Sequence, residues 1–508
     1  MFKPTRAILF LVLLLALFST HQQIPAAPAA WQAKVDDWVL TSAQSCETEF
    51  LVYLTEQADL SGAEELKTKH EKGSYVYAEL TKVAARTQKP LLAALSTMGV
   101  EHRSYWIANM IWVRGDLKIV DTIAKRNDVA HIYANPSVHL DLPTISPHQE
   151  GEFTQNTPSA VEWNISKVGA PQVWEAGYTG NGVVIGGQDT GYDWDHPALK
   201  NQYRGWNGTS ADHNYNWHDA IHSGNEICEP DSPEPCDDHY LSHGTHTMGT
   251  MVGDDSAGEQ IGMAPGARWI GCRNMDQGAG TPATYSECFQ WFIAPTKLDG
   301  KNPNPDLAPD VINNSWYCDS NEGCDNWDSL LLVVNNTRAA GIVVVVSAGN
   351  FRDPDEQDPC NSVDYPPAIY DSSFSVGATD SSDNITSFSS RGPADDTNLL
   401  KPDISAPGQG IRSSLRGGGY GSLDGTSMAA PHVSGLVALL LSARPYLKGQ
   451  VEAIETQIEQ GALPLTTTED CGVIPGSQVP NNTYGWGRIN ALKTISIFTY
   501  FPLIMKSP

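Results

Sequence analysis

Positive charge is scarce in this chain. Lysine and arginine number 32 against 59 aspartates and glutamates in 508 residues, leaving a net charge of -27 and an isoelectric point near 4.7. That balance argues against nucleic acid or anionic membrane surfaces as partners and suits a soluble exported protein. Long apolar runs are missing as well. Beyond the N-terminus no segment is long and apolar enough to cross a bilayer, and no internal repeat is present. There is no His-Glu-x-x-His pair to hold zinc. The glycine-rich Arg416-Gly417-Gly418-Gly419-Tyr420 lacks the lysine of a phosphate-binding loop. The length leaves room for more than one domain and a large core.

What is there begins with an export signal. Lys3 and Arg6 precede an apolar stretch from Ala7 to Phe18, too short to span, and Ala26 to Ala30 offers small-residue cleavage sites. Residues 1–30 are read as this signal and the protein as secreted or extracellular, with 499–508 a short hydrophobic tail. Nine cysteines then imply disulfides in an oxidising compartment. Cys228 with Cys236, and Cys318 with Cys324, are close enough for local staples. Cys272, Cys288, Cys360 and Cys471 admit three pairings, and Cys46 is the odd one out.

Two regions follow. From Cys46 to Leu142 the pattern is strand, helix, strand, helix, strand. Phe50–Leu54, Tyr105–Val113 and His131–Tyr133 read as strands, Tyr77–Met98 and Leu117–Ala124 as helices. This is the outline of a small α+β, ferredoxin-like sandwich, ending in a Pro/Ser/Thr-rich linker from Pro143 to Ser159. The second region is α/β. Continuous apolar runs at Val183–Gly187, Trp269–Cys272, Asp310–Asn313, Ile342–Val346 and Phe374–Ala378 alternate with helical stretches such as Tyr285–Phe292 and Ser329–Ala340. Such runs predict a doubly wound, mainly parallel sheet with helices on both faces, whose sites form at the carboxyl ends of strands. Asp189 and Asn350 fall at such ends.

Three stretches carry reactive groups. Gly425-Thr426-Ser427 opens an apolar run to Leu441 that predicts a buried helix, with Pro431 in its first turn and Arg444-Pro445 ending it. A serine there meets backbone N–H groups and a dipole that favour negative charge. His243 opens His243-Gly244-Thr245-His246, and Asp189 lies in Gln188-Asp189-Thr190-Gly191. A serine hydroxyl needs a neighbouring base, an imidazole serves near neutrality, and a buried carboxylate fixes its tautomer. Taken singly, each residue reads as an ordinary cap, turn or satisfied polar group.

Their order, Asp, His, Ser, is one of the known triad orders, and here the chain resembles the subtilisin-like serine peptidases. The match extends over Asp310-Val311-Ile312-Asn313-Asn314-Ser315, Ser347-Ala348-Gly349-Asn350 and Lys401-Pro402-Asp403-Ile404-Ser405-Ala406-Pro407-Gly408, within a span from Trp163 to Ala491. Ile261 to Ala267 and Val311 to Trp316 are most similar to the bacillopeptidase F branch. The resemblance implies a serine endopeptidase acting through an acyl-enzyme, with Ser427 the nucleophile, His243 the base, Asp189 its orienting partner and Asn350 an oxyanion donor. It implies that Ser315-Trp316-Tyr317 and Gly278-Ala279-Gly280 flank an extended substrate. It further implies that residues 31–145 are an inhibitory propeptide with the start of a linker and 146–498 the peptidase domain. The precursor would then cleave itself between Leu142 and Ala160 and act as a monomer on polypeptides. His432 and His246 are assigned structural places.

The chain also departs from the family pattern. An acidic, cysteine-bearing insertion runs from Tyr203 to His239. His196-Pro197 is followed by Ala198 where many relatives carry a calcium-ligating aspartate. The chemistry needs no cofactor, and Asp254 and Asp255 are candidates for a structural calcium ion. Two rival readings are a zinc hydrolase built on Cys236, His239, His243 and His246 and a non-catalytic binding protein on the same scaffold.

Overall fold

The computed structural model describes residues 30–139, 144–145, 161–318, 326–351, 359–394 and 399–496. The expected signal segment, the closing tail and Cys324 lie outside these residues.

The first layer contains helix α1 (Asp37–Ser45), strand β1 (Thr48–Leu54), helices α2 (Lys69–Thr87) and α3 (Lys89–Met98), strands β2 (Glu101–Tyr105) and β3 (Met110–Gly115), helix α4 (Leu117–Ala124) and strand β4 (Val129–Ala134). The strands form one antiparallel sheet in the order β2-β3-β1-β4. Side chains alternate across a strand, and β1 uses both faces. Phe50, Val52 and Leu54 pack under α1, α3 and α4. Leu51 and Tyr53 point the other way, into a core shared with the second body.

Two sequence expectations change here. The helix expected over Tyr77–Met98 is two helices parted at Gln88, because Pro90 opens a new helix where its missing N–H costs nothing. The strand expected over Tyr105–Val113 is broken by a turn at 106–109, with Asn109 at φ 44°. The N–H groups of Trp106 and Ile107 in that turn donate to Gln290 Oε1 of the second body at 2.6 and 3.2 Å. Docking therefore fixes the turn, and local propensity does not reveal it.

Two short strands, β5 (Val138–His139) and β6 (Thr144–Ile145), leave the first layer, and helices α5 (Trp163–Lys167) and α6 (Ala170–Glu175) open the second body. There follow β7 (Val184–Asp189), β8 (Trp217–Asp219), α7 (His243–Val252), β9 (Arg268–Arg273), β10 (Met275–Asp276), β11 (Ala279–Gly280), α8 (Pro282–Ile293), β12 (Val311–Asn314) and α9 (Leu331–Ala339). The chain continues through β13 (Val343–Ser347), β14 (Phe374–Thr379), β15 (Ile404–Pro407), β16 (Ile411–Leu415), β17 (Gly419–Asp424), α10 (Thr426–Ala443), α11 (Val451–Gly461) and α12 (Ala491–Ser496). Seven strands form a parallel sheet in the order β15-β14-β13-β12-β7-β9-β8.

Both faces of this sheet are covered, which explains the continuous apolar runs. In β13, Val343 and Val345 meet the core around α7 and α10, whereas Val344 and Val346 meet the core around α8 and α9. The expectation that no segment beyond the N-terminus is long and apolar enough to cross a membrane does not hold by length and composition: among the described residues one helix, Thr426–Ala443, is, and 89% of it is buried inside the fold. The order of winding reverses at β7, between β9 and β12. A crevice therefore opens at the carboxyl ends of these strands, beside Asp189.

Three disulfides join pairs of described residues. Cys228 joins Cys236 as expected, Cys272 of β9 joins Cys288 of α8, and Cys360 joins Cys471. This selects one of the three pairings that spacing allowed. The Cys318–Cys324 expectation involves a residue outside those described.

Candidate active site

Asp189 ends β7 and is buried. Its Oδ1 receives the N–H of Thr190 at 2.8 Å and lies 2.6 Å from His243 Nδ1. Thr247 Oγ1 donates to Oδ2 at 3.2 Å. Thr247 follows His243 by four residues on α7, so both side chains lie on one helix face. That i, i+4 spacing is the sequence signal for Thr247. His243 opens α7 because Ser242 holds φ 54° and turns the chain. Gly244 is required next, since a Cβ there would lie 2.1 Å from the Gly191 carbonyl oxygen. The helix can therefore press against the backbone just beyond Asp189. With Nδ1 engaged by the carboxylate, His243 Nε2 is buried and meets no hydrogen-bond partner.

Ser427 is the second residue of α10. Its hydroxyl donates to the Ser315 carbonyl at 3.2 Å, so it is not bonded to His243. Pro431 is the sixth residue of α10, not in the first turn as expected. Lacking an N–H, it leaves the Ser427 carbonyl without its helical partner. Ser315 Oγ fills that place at 2.9 Å, and Asn313 Nδ2 supports Ser315 Oγ at 2.9 Å. Because Asn314 pairs with Gln188 in the sheet, Ser315 stands beside Asp189 at the strand ends. The nucleophile candidate is thus tied to the strand neighbouring the carboxylate.

Asn350 follows Gly349, which holds φ 108°. Its Oδ1 receives both the N–H and the hydroxyl of Thr426, at 2.9 and 3.0 Å. These bonds decide which end of the amide is left to donate. Trp316 is fully buried and stacks on Tyr285 at 3.7 Å. Of the expected substrate strand Ser315-Trp316-Tyr317, Ser315 and Trp316 therefore turn their side chains into the fold, and what they offer a ligand is backbone. On the facing side, Ala279 and Gly280 of β11 pair with β5, that is with His139 and Val138 of the same chain. Gly278 holds φ 92° in the turn before them.

The other histidines are placed as follows. His246 Nε2 faces the carbonyls of Ile411 and Gly421 at 3.0 and 3.2 Å, and burial, then His243, push it down to about 3. His432 lies between Met428 O and Asn164 Nδ2, at 2.9 and 2.7 Å, and burial pushes it down to about 4. His239 is buried with both ring nitrogens unpartnered, its ring 6.4 Å from that of His243, and burial, then His243, lower it to about 4. Asp237, which the sequence offers only as one acid of the insertion, receives the hydroxyl of Thr190 and the N–H and hydroxyl of Thr245 at 2.9, 3.0 and 2.6 Å. Burial raises it to about 6.

The zinc rival loses a ligand, because Cys236 is bonded to Cys228. No group of three or more His, Cys, Asp or Glu among the described residues is arranged to hold a metal ion. Asp254 Oδ1 and Asp255 Oδ1 cap N–H groups of their own turn, and Glu259 grips Arg412. The carboxylates of this loop thus meet N–H groups of their own turn and Arg412.

A parallel sheet wound about β7, a buried carboxylate–imidazole pair at its strand ends and a serine at a helix start are the parts of a serine-hydrolase architecture. The profile of the Subtilase family matches residues 180–487, and the chain belongs to that family. It is 37% identical over 445 residues to bacillopeptidase F of Bacillus subtilis (strain 168), a match covering 85% of this chain and 29% of that protein. Subtilisin E of the same organism is 32% identical over 303 residues, covering 60% of this chain and 67% of its own length. M-protease of Shouchella clausii (strain KSM-K16) is 28% identical over 362 residues, covering 70% and 75%. The chain therefore spans less than a third of bacillopeptidase F.

Proposed function

We propose that the chain is the precursor of a secreted serine endopeptidase that acts as a monomer on polypeptides. The observation that carries this reading is the buried 2.6 Å contact between Asp189 and His243 Nδ1, which leaves Nε2 unpartnered. His243 Nε2 takes the Ser427 proton as Oγ attacks the scissile carbonyl, and Asp189 stabilises the imidazolium that forms. Ser427 leaves its bond to Ser315 O as substrate seats; such contacts tighten only in the complex. Asn350 Nδ2 and the Ser427 N–H receive the oxyanion. The imidazolium then protonates the leaving amine, and water reverses the sequence to free the acyl group. The chemistry uses no cofactor.

The first layer is the inhibitory propeptide in this reading. Its sheet order with two crossover segments is that of a ferredoxin-like sandwich. Tyr105 Oη donates to Glu287 of α8 at 2.9 Å, and Asn336 of α9 donates to Ile107 O at 2.5 Å. Beyond it, β5 pairs with β11, and β6 pairs with Leu423 and Asp424 just before Ser427. One chain thus adds a strand to β11 and another to the strand that leads into the nucleophile's helix, so we place the processed bond between His139 and Thr144. This narrows the window between Leu142 and Ala160 that the resemblance implies and moves it earlier.

The Ser427→Ala precursor tests both parts. It should hydrolyse no peptide and keep its first layer covalently attached, while the unaltered protein yields an N-terminus within residues 140–144. Hydrolysis by the variant, or a new terminus outside that window, would overturn the corresponding part. Inhibition by chelator but not by a serine-directed phosphonate would restore the metal rival.

A further inference from the structure

Arg273 is the last residue of β9 and its side chain is fully buried. Its guanidinium meets carboxylates from three separate segments. Nη1 lies 3.1 Å from Asp219 at the end of β8. Nη2 bonds Asp238, just past the Cys228–Cys236 bridge, and reaches Asp276 of β10 at 3.3 Å. Asn225, inside the insertion, adds bonds from Nδ2 to Asp238 and Asp276 at 2.6 and 2.7 Å. The free oxygen of Asp238 receives the N–H of Gln277 at 3.0 Å, at the residue whose φ of 51° turns the β10–β11 hairpin.

One guanidinium facing three carboxylates, with its Nε unpartnered, is a poor device for stability. Burying ions costs more than such an arrangement returns, and its best-attested use is fixing geometry. The geometry it fixes is specific. Asp238 holds the hairpin whose outer strand, β11, pairs with an extended chain. The adjacent Asp237 holds Thr190 and Thr245, which flank Asp189 and His243. Successive carboxylates therefore link the catalytic helix to the peptide-pairing edge.

We propose that Arg273, with Asp238 and Asn225, is a positioning group for the β10–β11 substrate edge. It sets the distance between that edge and His243 and so governs recognition of extended peptides on the acyl side of the cut. The proposal rests on the peptidase reading. A substrate with a single acyl residue does not reach β11, whereas one with four residues pairs with it.

The test compares these two substrates on the mature enzyme, a tetrapeptide anilide and a single-residue acyl ester. Asn225→Ala, at a half-exposed position, and Asp238→Asn, of the same shape, avoid the folding risk of altering Arg273 itself. Each should raise KM for the tetrapeptide about ten-fold with kcat little changed, as expected for lost ground-state pairing, while kcat/KM for the ester moves less than about two-fold. Arg273→Lys should retain more tetrapeptide activity than Arg273→Met. Equal losses on both substrates would reduce the network to general stability and overturn the proposal, as would no loss on either. Failure of the unaltered enzyme to cleave either substrate would instead overturn the peptidase reading beneath it.

Discussion

Thr426 holds Asn350 by one end. Its N–H and its hydroxyl both donate to Asn350 Oδ1, at 2.9 and 3.0 Å, so the amide can face an oxyanion only through nitrogen. Asn350→Leu is expected to lower kcat by about 100 to 1000-fold, the magnitude established for such a donor in a subtilisin, with KM nearly constant. Thr426→Val keeps the N–H, loses the hydroxyl, and should cost about five-fold. Steady-state kinetics on a peptide anilide decide the matter. A change confined to KM would remove Asn350 from the oxyanion role.

Lys69 reaches from the first layer into the second body. Its Nζ lies 2.6 Å from Ala308 O and 3.2 Å from Asp310, which also receives Lys448 at 3.0 Å. Burial draws this ammonium below the usual lysine range, against the pull of Asp310. Lys69→Met keeps the stem and removes the charge, leaving Asp310 paired with Lys448. The first layer should then be held about ten-fold more weakly, and activity should appear sooner after refolding of the precursor. An unchanged activation time course would show that the contact carries no retention.

Glu459 on α11 is raised to about 7 by burial, then by Asp403 and Glu455. The folded state therefore binds its proton more tightly than the unfolded chain, where the value is near 4.3. Folding is favoured below the unfolded value and loses that contribution as pH rises through about 7. Glu459→Gln should raise the melting temperature at pH 8 and leave it unchanged at pH 4. An equal gain at both values would deny the carboxylate's part.

His432 titrates in the opposite sense. Burial pushes it down to about 4, and it is held neutral between Met428 and Asn164. Its contribution is present above the unfolded value near 6.5 and lost as pH falls through about 4. His246 moves the same way, to about 3. Urea midpoints should fall between pH 6.5 and 4. The deficit of His432→Gln relative to the unaltered protein should be smaller at pH 4.5 than at pH 7.5. A deficit independent of pH would assign His432 to packing alone.

The family motifs were legible because each places its reactive residue inside a contiguous run, and the parallel strands because burial on both faces leaves continuous apolar stretches. What escaped depends on distant partners. Lys69 and Asp310 lie 241 residues apart, and Cys360 and Cys471 lie 111 apart. The hairpin within Tyr105–Val113 is defined by Gln290 on another element. Strands β5 and β6, each of two residues, have no periodicity of their own; they are extended because an edge was waiting for them. Asp237 and Asp238 looked like one acidic patch, although they face different tasks.

The pairing of β5 and β6 completes two three-stranded sheets, the second of which leads into the helix of Ser427. Losing the first layer with β5 would leave the β10–β11 ribbon with a row of amides and carbonyls turned to solvent, while β6 stays with the peptidase. Activation in this reading creates an unfilled edge as much as it frees a nucleophile. In this reading an incoming polypeptide repairs that vacancy by backbone alone, so the edge itself asks for no particular side chain. The same logic makes the departing segment the enzyme's first product, and its dissociation the first event that every later turnover repeats.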